Sequence, residues 1–597
     1  MAPLKTRAVH MSRLGTAIPG FFDFAKFGIF ALALVLVIYS IFAMVINAIG
    51  DYCKYGTDDP LADCGSSWKF YFSQANQSYQ YYGRAMPADR ILAVVAFFFV
   101  YALKAFYYRK IRKLAAEADE LITDISDYSI EIRGLPTDTT EKELRDFFKK
   151  QTFYDDGEKI EVKPVLINFV YKNLDRLEAR SLDLKRLIGQ YIDESHKDKV
   201  DNQKLESIGQ KFVNLVDSTD KMLKEEYTMS REEKKRVDNF AYSAYVSFDT
   251  QKQADAVKEQ LEVKGLGKIA YKFFGHLRGP LKCFKGARRH ILRPEGGKKD
   301  GVFYVETAEK PEEIIYTSLG QTFWQRFGRK FLSLLITILL ICGSFIGLTV
   351  LKVIEDDFKG NALKAFSIFV AIMIKIAGFI IAFLTPKLVA FEKPETTSLK
   401  YIGEVWRSSI SVFLNSAILV CVVSYYLTDK KDLDNIYFTD SGVGGTLFML
   451  VVLSIIEPFV STFDAGLLIS RIKIWKLKKD LVNNPGKVTL IQSEANNLYE
   501  WAEFKYSIRL AKYCNTLLLI FFTLSTFPIV SFLGIILLLI YYWSDKFFLL
   551  RLARIPEYCT TELALSMLRF IDIVFIAWAV RNLFNKAGVC NERNFLL

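Results

Sequence analysis

The sequence predicts a polytopic α-helical membrane protein with about nine spans, interrupted by one soluble α/β domain. Of its 597 residues, 51% are hydrophobic and 24% are charged, and the two kinds are segregated along the chain. Several apolar runs reach the roughly 18 residues that a helix needs to cross ~30 Å of hydrocarbon. A charged block at 109–329 lies between two groups of such runs. A water-soluble enzyme would have no such runs.

Nine apolar runs qualify as candidate spans. The first is too long for a signal-peptide core and has no small-residue cleavage site, so we expect it to remain as an anchor. The candidates are 27–49, 91–108, 331–351, 363–391, 408–427, 446–469, 513–530, 532–550 and 563–580. The predicted parts are an N-terminus (1–26), two spans (27–108) with a loop (50–88), the soluble block (109–329), a helical membrane domain (330–583) and a C-terminal tail (584–597).

The distribution of basic residues predicts the orientation, because Lys and Arg concentrate in cytoplasmic loops. Four precede the first span, namely Lys5, Arg7, Arg13 and Lys26. Four more follow the second span, namely Arg109, Lys110, Arg112 and Lys113. We therefore expect the N-terminus and the soluble block in the cytosol, and the plasma membrane as the membrane of residence. Nine full spans would leave Arg581, Lys586 and Arg593 outside, so the side of the C-terminus stays open.

The loop at 50–88 is then extracellular. It contains Cys53 and Cys64, which could close a disulfide in an oxidising compartment. It also contains the glycosylation sequon that begins at Asn76. The alternative is a pair of free thiols and an unused sequon.

The soluble block has the order of a βαββαβ unit with a helical insertion. Thr139 and Thr140 precede two early acids, which is typical of a helix N-terminus. The predicted elements are strand 128–133, helix 139–148, strand 162–171, helical insertion 173–239, strand 244–248 and helix 251–261. This is the ferredoxin-like pattern of an RNA-recognition motif.

RNA binding is nevertheless excluded as the favoured function of this block. The RNA-recognition motif stacks bases on aromatic residues of its central strands. Here Glu131 occupies the aromatic position of the first strand, and Ser243 occupies a stacking position of the third. We therefore expect no nucleic-acid partner, and assign the formal charge of +12 to loops that face anionic membrane lipid. One basic stretch could lie near headgroups or be a solvated loop: Lys282, Lys285, Arg288, Arg289, Arg293, Lys298 and Lys299.

The sequence offers no catalytic constellation. Its four histidines have no metal-ligand spacing, and the eight cysteines contain no CxxC pair. No phosphate-binding loop, nucleophile elbow or zinc-protease motif occurs. We therefore expect neither an enzyme nor a cofactor or metal site.

Polar residues inside the late spans are the candidate functional residues, because each is costly unless it faces protein or water. Lys375, Asn415, Glu457 and Asp464 lie in three successive spans and could line a path for cations. Glu457 and Asp464 are seven residues apart, which places them nearly in line along a helix. The alternative is that Lys375 and Glu457 form a buried ion pair that only fixes packing, while Asp464 lies at the inner interface.

Three prolines are predicted to bend late spans and to act as hinges. They are Pro386, Pro458 and Pro528. A proline inside a helix removes one backbone donor, and this is tolerated where the helix lines protein or a cavity.

The order of these features resembles the calcium-permeable stress-gated cation channels of the OSCA/CSC type, which are related to anoctamins and transmembrane channel-like proteins. The split soluble domain carries part of the resemblance. The approach at 305–316, which ends in Tyr316 where the family has tryptophan, carries another. Further matching segments are Pro386 to Glu392, Phe413-Leu414-Asn415, Phe527-Pro528-Ile529 and 541–550. The chain departs from the family in having two spans, rather than three, before the soluble domain.

The resemblance implies a mechanically or osmotically gated, calcium-permeable, non-selective cation channel that forms a homodimer. Its partners would be membrane lipids and permeant cations. The alternative is a phospholipid scramblase of the same superfamily fold. Calcium activation would need roughly six oxygen ligands, more than the acids of the late spans supply. A non-conducting scaffold is the remaining possibility.

Overall fold

The structure is a computed structural model that describes residues 17–593 with internal gaps. The gaps are 50–67, 77–78, 122–123, 136–138, 156, 173, 196–199, 228–239, 263–290, 293–300, 322, 356, 359–360, 428–441, 463–464, 484–491 and 555–556. Seven helices within the described residues are long and apolar enough to cross a membrane. Their number and length are those of a polytopic membrane protein, as the sequence predicts.

Two helices precede the soluble block. Helix α1 (Ala17–Ile49) contains one π-helical turn at Leu36–Ser40, and α2 (Tyr79–Leu121) runs for 43 residues without a break. Short helical turns at Trp68–Tyr71 and Gln74–Asn76 lie between them. Both long helices exceed their predicted spans, because the helical backbone continues into flanking sequence that contains charged residues.

The soluble block contains a four-stranded antiparallel sheet. The strands in chain order are β1 (Ser129–Arg133), β2 (Pro164–Tyr171), β3 (Phe240–Phe248) and β4 (Tyr304–Thr307). Their order across the sheet is β2-β3-β1-β4, with β1 paired to both β3 and β4. Two further hairpins pair Phe153–Asp155 with Glu158–Ile160 and Ile291–Leu292 with Gly301–Val302. We call this part the sheet domain.

Four helices belong to the sheet domain. They are α3 (Glu141–Lys150), α4 (Leu174–Ser195), α5 (Asn202–Met222) and α6 (Gln251–Leu261). The predicted cap of α3 is present, since Glu143 N donates to Thr140 Oγ1 at 3.3 Å and Thr140 N donates to Glu143 Oε2 at 2.8 Å. The helical insertion is the antiparallel hairpin α4–α5. Alternate strand residues and the inner faces of α3 and α6 form the domain's core: Ile130, Ile132, Leu144, Phe148, Val246, Val257 and Val305.

The membrane domain is a bundle of helices that follows the sheet domain in the chain. Its helices are α7 (Phe323–Glu355), α8 (Asn361–Phe391), α9 (Thr397–Phe413, continued through Leu414–Ile418 and Leu419–Leu427), α10 (Val443–Ser454), α11 (Glu457–Thr462), α12 (Ala465–Asn483), α13 (Gln492–Tyr499), α14 (Tyr506–Leu524), α15 (Val530–Arg551) and α16 (Glu562–Arg593). One hydrophobic core joins α1 and α2 to this bundle.

Two predicted spans differ from the structure. The run at 446–469 is divided into short helices. Just before Pro458, the backbone N–H groups of Ile455 and Ile456 donate to carbonyl oxygens three residues earlier, rather than four as in an α-helix. The run at 563–580 does form a helix, but it is not among the seven apolar helices of the described residues. Its Asp572 carboxylate lies 2.5 Å from Lys104 Nζ on α2.

The proline predictions had mixed outcomes. Pro386 lies inside the continuous helix α8, and Pro458 is the second residue of α11 after the break. Pro528 does not interrupt a span, because α14 ends at Leu524 and α15 begins at Val530. It belongs to the turn between them, so Pro528 does not bend a span as the sequence predicted.

Candidate functional site

The centre of the candidate site is an ion pair between α8 and the start of α11. Lys375 Nζ lies 2.7 Å from Glu457 Oε1 and 2.6 Å from Ser454 Oγ. The second carboxylate oxygen of Glu457 accepts a hydrogen bond from Tyr541 on α15 at 2.9 Å. Two of the predicted pore residues are therefore brought together, in the arrangement of the ion-pair alternative. We call Lys375, Ser454, Glu457 and Tyr541 the central cluster.

The break between α10 and α11 positions Glu457. Glu457 is the first residue of α11, and carboxylates are favoured near a helix N-terminus. Ser544 on α15 donates to the backbone oxygen of Pro458 at 3.2 Å and fixes the start of that helix. A continuous helix would carry no such helix start in the middle of the bundle, so the break creates this site.

Asn415 of α9 contacts α8 beside the ion pair. It lies in a π-helical turn of α9 and is 1% exposed. Its Nδ2 donates to the backbone oxygen of Ile374 at 3.2 Å, and its Oδ1 accepts from Ser344 on α7. Because Ile374 precedes Lys375, Asn415 and the ion pair hold consecutive residues of α8. Single π-helical turns occur frequently at functional sites.

Three further charged pairs lie within the bundle, outside the four candidate pore residues. Arg509 on α14 pairs with Asp545 on α15, and both are buried. In the last turn of α7, Lys352 Nζ lies 2.6 Å from Glu355 Oε2. Arg407 on α9 pairs with Glu392. The only sequence signal is a lone charge at or near the end of an apolar run, which names neither its partner nor its role.

A fourth network joins the sheet domain to the membrane domain. Arg133 of β1 reaches three carboxylates: Glu131 at 2.9 Å, Glu306 at 3.2 Å and Glu395 at 3.1 Å. Glu395 follows α8 and also pairs with Arg326 of α7. We call these five residues the junction network. Since Glu131 is committed to Arg133, the sheet face that stacks bases in RNA-binding domains is covered by charge pairs.

Burial and the neighbouring charges shift the pKa values of groups in and beside the junction network. Burial would raise the pKa of Glu395, but Arg133 and Arg326 lower that pKa to about 2. For Glu131 the balance is opposite, because burial raises its pKa more than Arg133 lowers it. Burial likewise raises the pKa of Tyr304 to about 12. The network thus holds Glu395 ionised across the ordinary pH range.

Backbone hydrogen bonds reinforce the junction. Ile315 N donates to Glu395 O at 2.9 Å, and Thr397 N donates to Glu313 O at 2.9 Å. The segment after β4 therefore runs beside the loop that connects α8 to α9. A cavity of about 830 Å³ lies at this junction, lined in part by Leu177, Ile315, Tyr316, Lys400 and Glu557.

The other predicted site residues have separate outcomes. Asp464, Cys53 and Cys64 lie outside the described residues. Asn76 is described and fully buried, and its Nδ2 donates to the backbone oxygen of Asn47 at 2.8 Å. A glycan on this nitrogen needs an accessible amide, so the fold argues against the predicted glycosylation of Asn76. Among the described residues, no group of three potential ligands could hold a metal ion.

Comparison with protein-family models and with curated proteins found no match to this sequence. The residue geometry is therefore the basis for the functional proposal.

Proposed function

We propose that the protein is a mechanically or osmotically gated, calcium-permeable, non-selective cation channel, with the central cluster as the closed constriction of its path. The observation that carries this proposal is the Lys375–Glu457 pair at the helix break. The two side chains are 20% and 31% exposed. Charges at this depth face protein or a water-filled cleft rather than hydrocarbon, so the exposed parts favour a hydrated cleft.

The ion pair supplies a means of closing the path. While Lys375 binds Glu457, the carboxylate is neutralised and an ammonium group stands where a cation would pass. Separating α8 from α11 would free the carboxylate for a hydrated cation, with Asn415 on the adjoining π-helical turn. Membrane tension favours whichever state has the larger area in the membrane plane, and separation of these helices enlarges that area.

The sheet domain has a coupling role in this proposal. Its strand order β2-β3-β1-β4 supports a ferredoxin-like, RRM-type domain. The junction network connects it to α7 and to the loop between α8 and α9, and those helices carry Ser344, Lys375 and Asn415. We further propose a homodimer in the plasma membrane with the sheet domain in the cytosol.

The alternative proposal is a phospholipid scramblase. The observation in its favour is the partial exposure of Lys375, whose ammonium group could bind a lipid phosphate. A track for lipid headgroups along α8 would next need Ser367, eight residues before Lys375, but Ser367 is buried and donates to Glu355. The channel proposal is therefore preferred.

The test is reconstitution of the purified full chain in liposomes, with patch recording under stretch and a fluorescent-lipid scrambling assay on the same preparation. We expect a stretch-activated cation current in the wild type. Lys375→Gln removes the cation of a partly buried pair, so about 1–3 kcal/mol less work should open the path. The current should then appear at lower tension. Glu457→Gln should reduce the permeability ratio of calcium to sodium.

Lys387→Gln is the matched control, because Lys387 is an exposed lysine of the same helix. It should change neither threshold nor selectivity. Absence of any stretch-activated current from the wild type would overturn the channel proposal, and scrambling without current would favour the alternative.

A further inference from the structure

Helix α12 carries five cations for which the described residues provide no ion-pair partner. They are Arg471, Lys473, Lys476, Lys478 and Lys479, and all five are exposed. The helix contains one acid, Asp480. Some exposed lysines elsewhere do pair with carboxylates, as Lys204 does with Glu194 at 2.9 Å and Lys224 with Asp220 at 2.6 Å. The positive charge of α12 is therefore exposed and available to an anionic partner.

The same helix also exposes large apolar side chains. Leu468 is 53% exposed, Ile472 is 56% exposed and Trp475 is 63% exposed. Lys479 Nζ lies 5.6 Å from the centroid of the Trp475 ring, so cation and indole share one surface. A purely aqueous polyanion would match the charges but not these side chains. The partner must offer anionic groups and hydrocarbon together.

The position of α12 in the fold indicates which surface it faces. The chain passes from the central cluster through α11 into α12, which packs against α13. Just after α13, Glu500 lies 3.0 Å from Arg554 Nη1, and Ala502 forms a β-bridge with Ala553. Both partners follow the end of α15. The segment just before α16 also reaches the junction, where Thr560 bonds Ser398 at the start of α9. Helix α12 thus leads to the end of the bundle that carries the sheet domain.

We propose that α12 binds anionic phospholipid in the leaflet at the sheet-domain end of the bundle. Its apolar side chains enter the acyl region, and Trp475 lies at the headgroup level, where tryptophan is enriched. The lysine and arginine stems extend along the apolar layer while their charged ends bind lipid phosphates and carboxylates. Cations near an anionic leaflet each strengthen such binding. This inference does not depend on whether the protein conducts ions.

The test uses Trp475 as the reporter in the full chain reconstituted in nanodiscs. The Trp475 signal is the difference in fluorescence between the wild type and Trp475→Phe, since the chain has seven tryptophans. Brominated phosphatidylserine or brominated phosphatidylcholine is included at the same mole fraction. We expect the anionic lipid to quench this signal about fivefold more strongly, the factor expected for one cation near an anionic surface.

Neutralisation separates charge recognition from simple immersion. The variant R471Q/K473Q/K476Q/K478Q/K479Q, which removes all five cations, should reduce the quenching ratio to about one, measured against the same variant with Trp475→Phe. The control K149Q/K150Q/K185Q/K211Q removes four exposed lysines of the sheet domain and should leave the ratio unchanged. Equal quenching of the wild type by both lipids would overturn headgroup recognition. Absence of quenching by either lipid would overturn membrane contact, and would mean that the cations face an aqueous partner such as an acidic protein.

Discussion

Removing the carboxylate of Glu395 should open the junction between the sheet domain and the membrane domain. Glu395→Gln takes away the acceptor that Arg133 and Arg326 share. Only 14% of the Glu395 side chain is exposed, and breaking a buried ion pair costs about 3–5 kcal/mol. Arg133 keeps Glu131 and Glu306, so the lower end of that range, about 3 kcal/mol, is the expected loss.

The pKa gives a second route to the same magnitude. The pKa of Glu395 falls from 4.5 to about 2 in the folded protein, and each unit is worth about 1.4 kcal/mol. Because the folded-state pKa is depressed, the contribution of about 3 kcal/mol is fully present above pH ~4.5 and is lost as the pH falls toward 2. Glu131 titrates in the opposite sense, since its pKa is raised, and offsets part of this loss in the wild type.

Amide hydrogen exchange measures this local opening directly. The reporters are the N–H groups of Ile315 and Thr397, which donate across the junction. At neutral pH, Glu395→Gln should lower their protection about 100-fold, which corresponds to about 3 kcal/mol. The control Glu312→Gln removes an exposed acid of the same segment and should have no effect. Unchanged protection in Glu395→Gln would refute the assignment of Glu395 as the central acceptor.

Two further substitutions test the packing of the membrane domain. Asp545→Asn should destabilise the bundle by about 3–5 kcal/mol, because it leaves the buried Arg509 guanidinium without its carboxylate; thermal unfolding in detergent should show a lower midpoint, with much of the loss recovered in Asp545→Asn/Arg509→Met. An equal loss in the double variant would contradict this pairing. A Cβ atom at Gly20 would lie 2.7 Å from Cβ of Ala564, so Gly20→Val should lower the unfolding midpoint by overpacking worth about 1–3 kcal/mol. The control Gly343→Val has open space around its Cβ position and should leave the midpoint nearly unchanged. Similar midpoints in both variants would disprove the close approach of α1 and α16.

Local pattern predicted the elements of the sheet domain well. Alternation of apolar residues identified β1, and Thr140 marked the start of α3, because both signals depend on neighbours in sequence. The partner of Glu131 could not be predicted in the same way. The junction network joins residues up to 262 positions apart, as from Arg133 to Glu395.

The membrane domain shows the same limit. Hydropathy identified apolar runs, but it could not detect that the sixth run is divided at Ile455 and Ile456. It also could not separate the two interpretations of Lys375 and Glu457, since the same residues suit a path or an ion pair. Asn76 lies in a correct sequon, yet its burial follows from tertiary contacts with Asn47 that no local pattern encodes.

The unbroken length of α2 has a mechanical consequence. Its 43 residues extend about 65 Å at 1.5 Å per residue, roughly twice the thickness of the hydrocarbon layer. Just beyond its end, Asp124 is held 2.6 Å from Lys310, at the edge of the sheet domain. A change in bilayer thickness alters helix tilt, and a tilt of about 10° displaces the far end of a rod this long by about 11 Å. A given tilt of α2 would therefore displace the sheet domain further than it displaces the part of the helix within the bilayer.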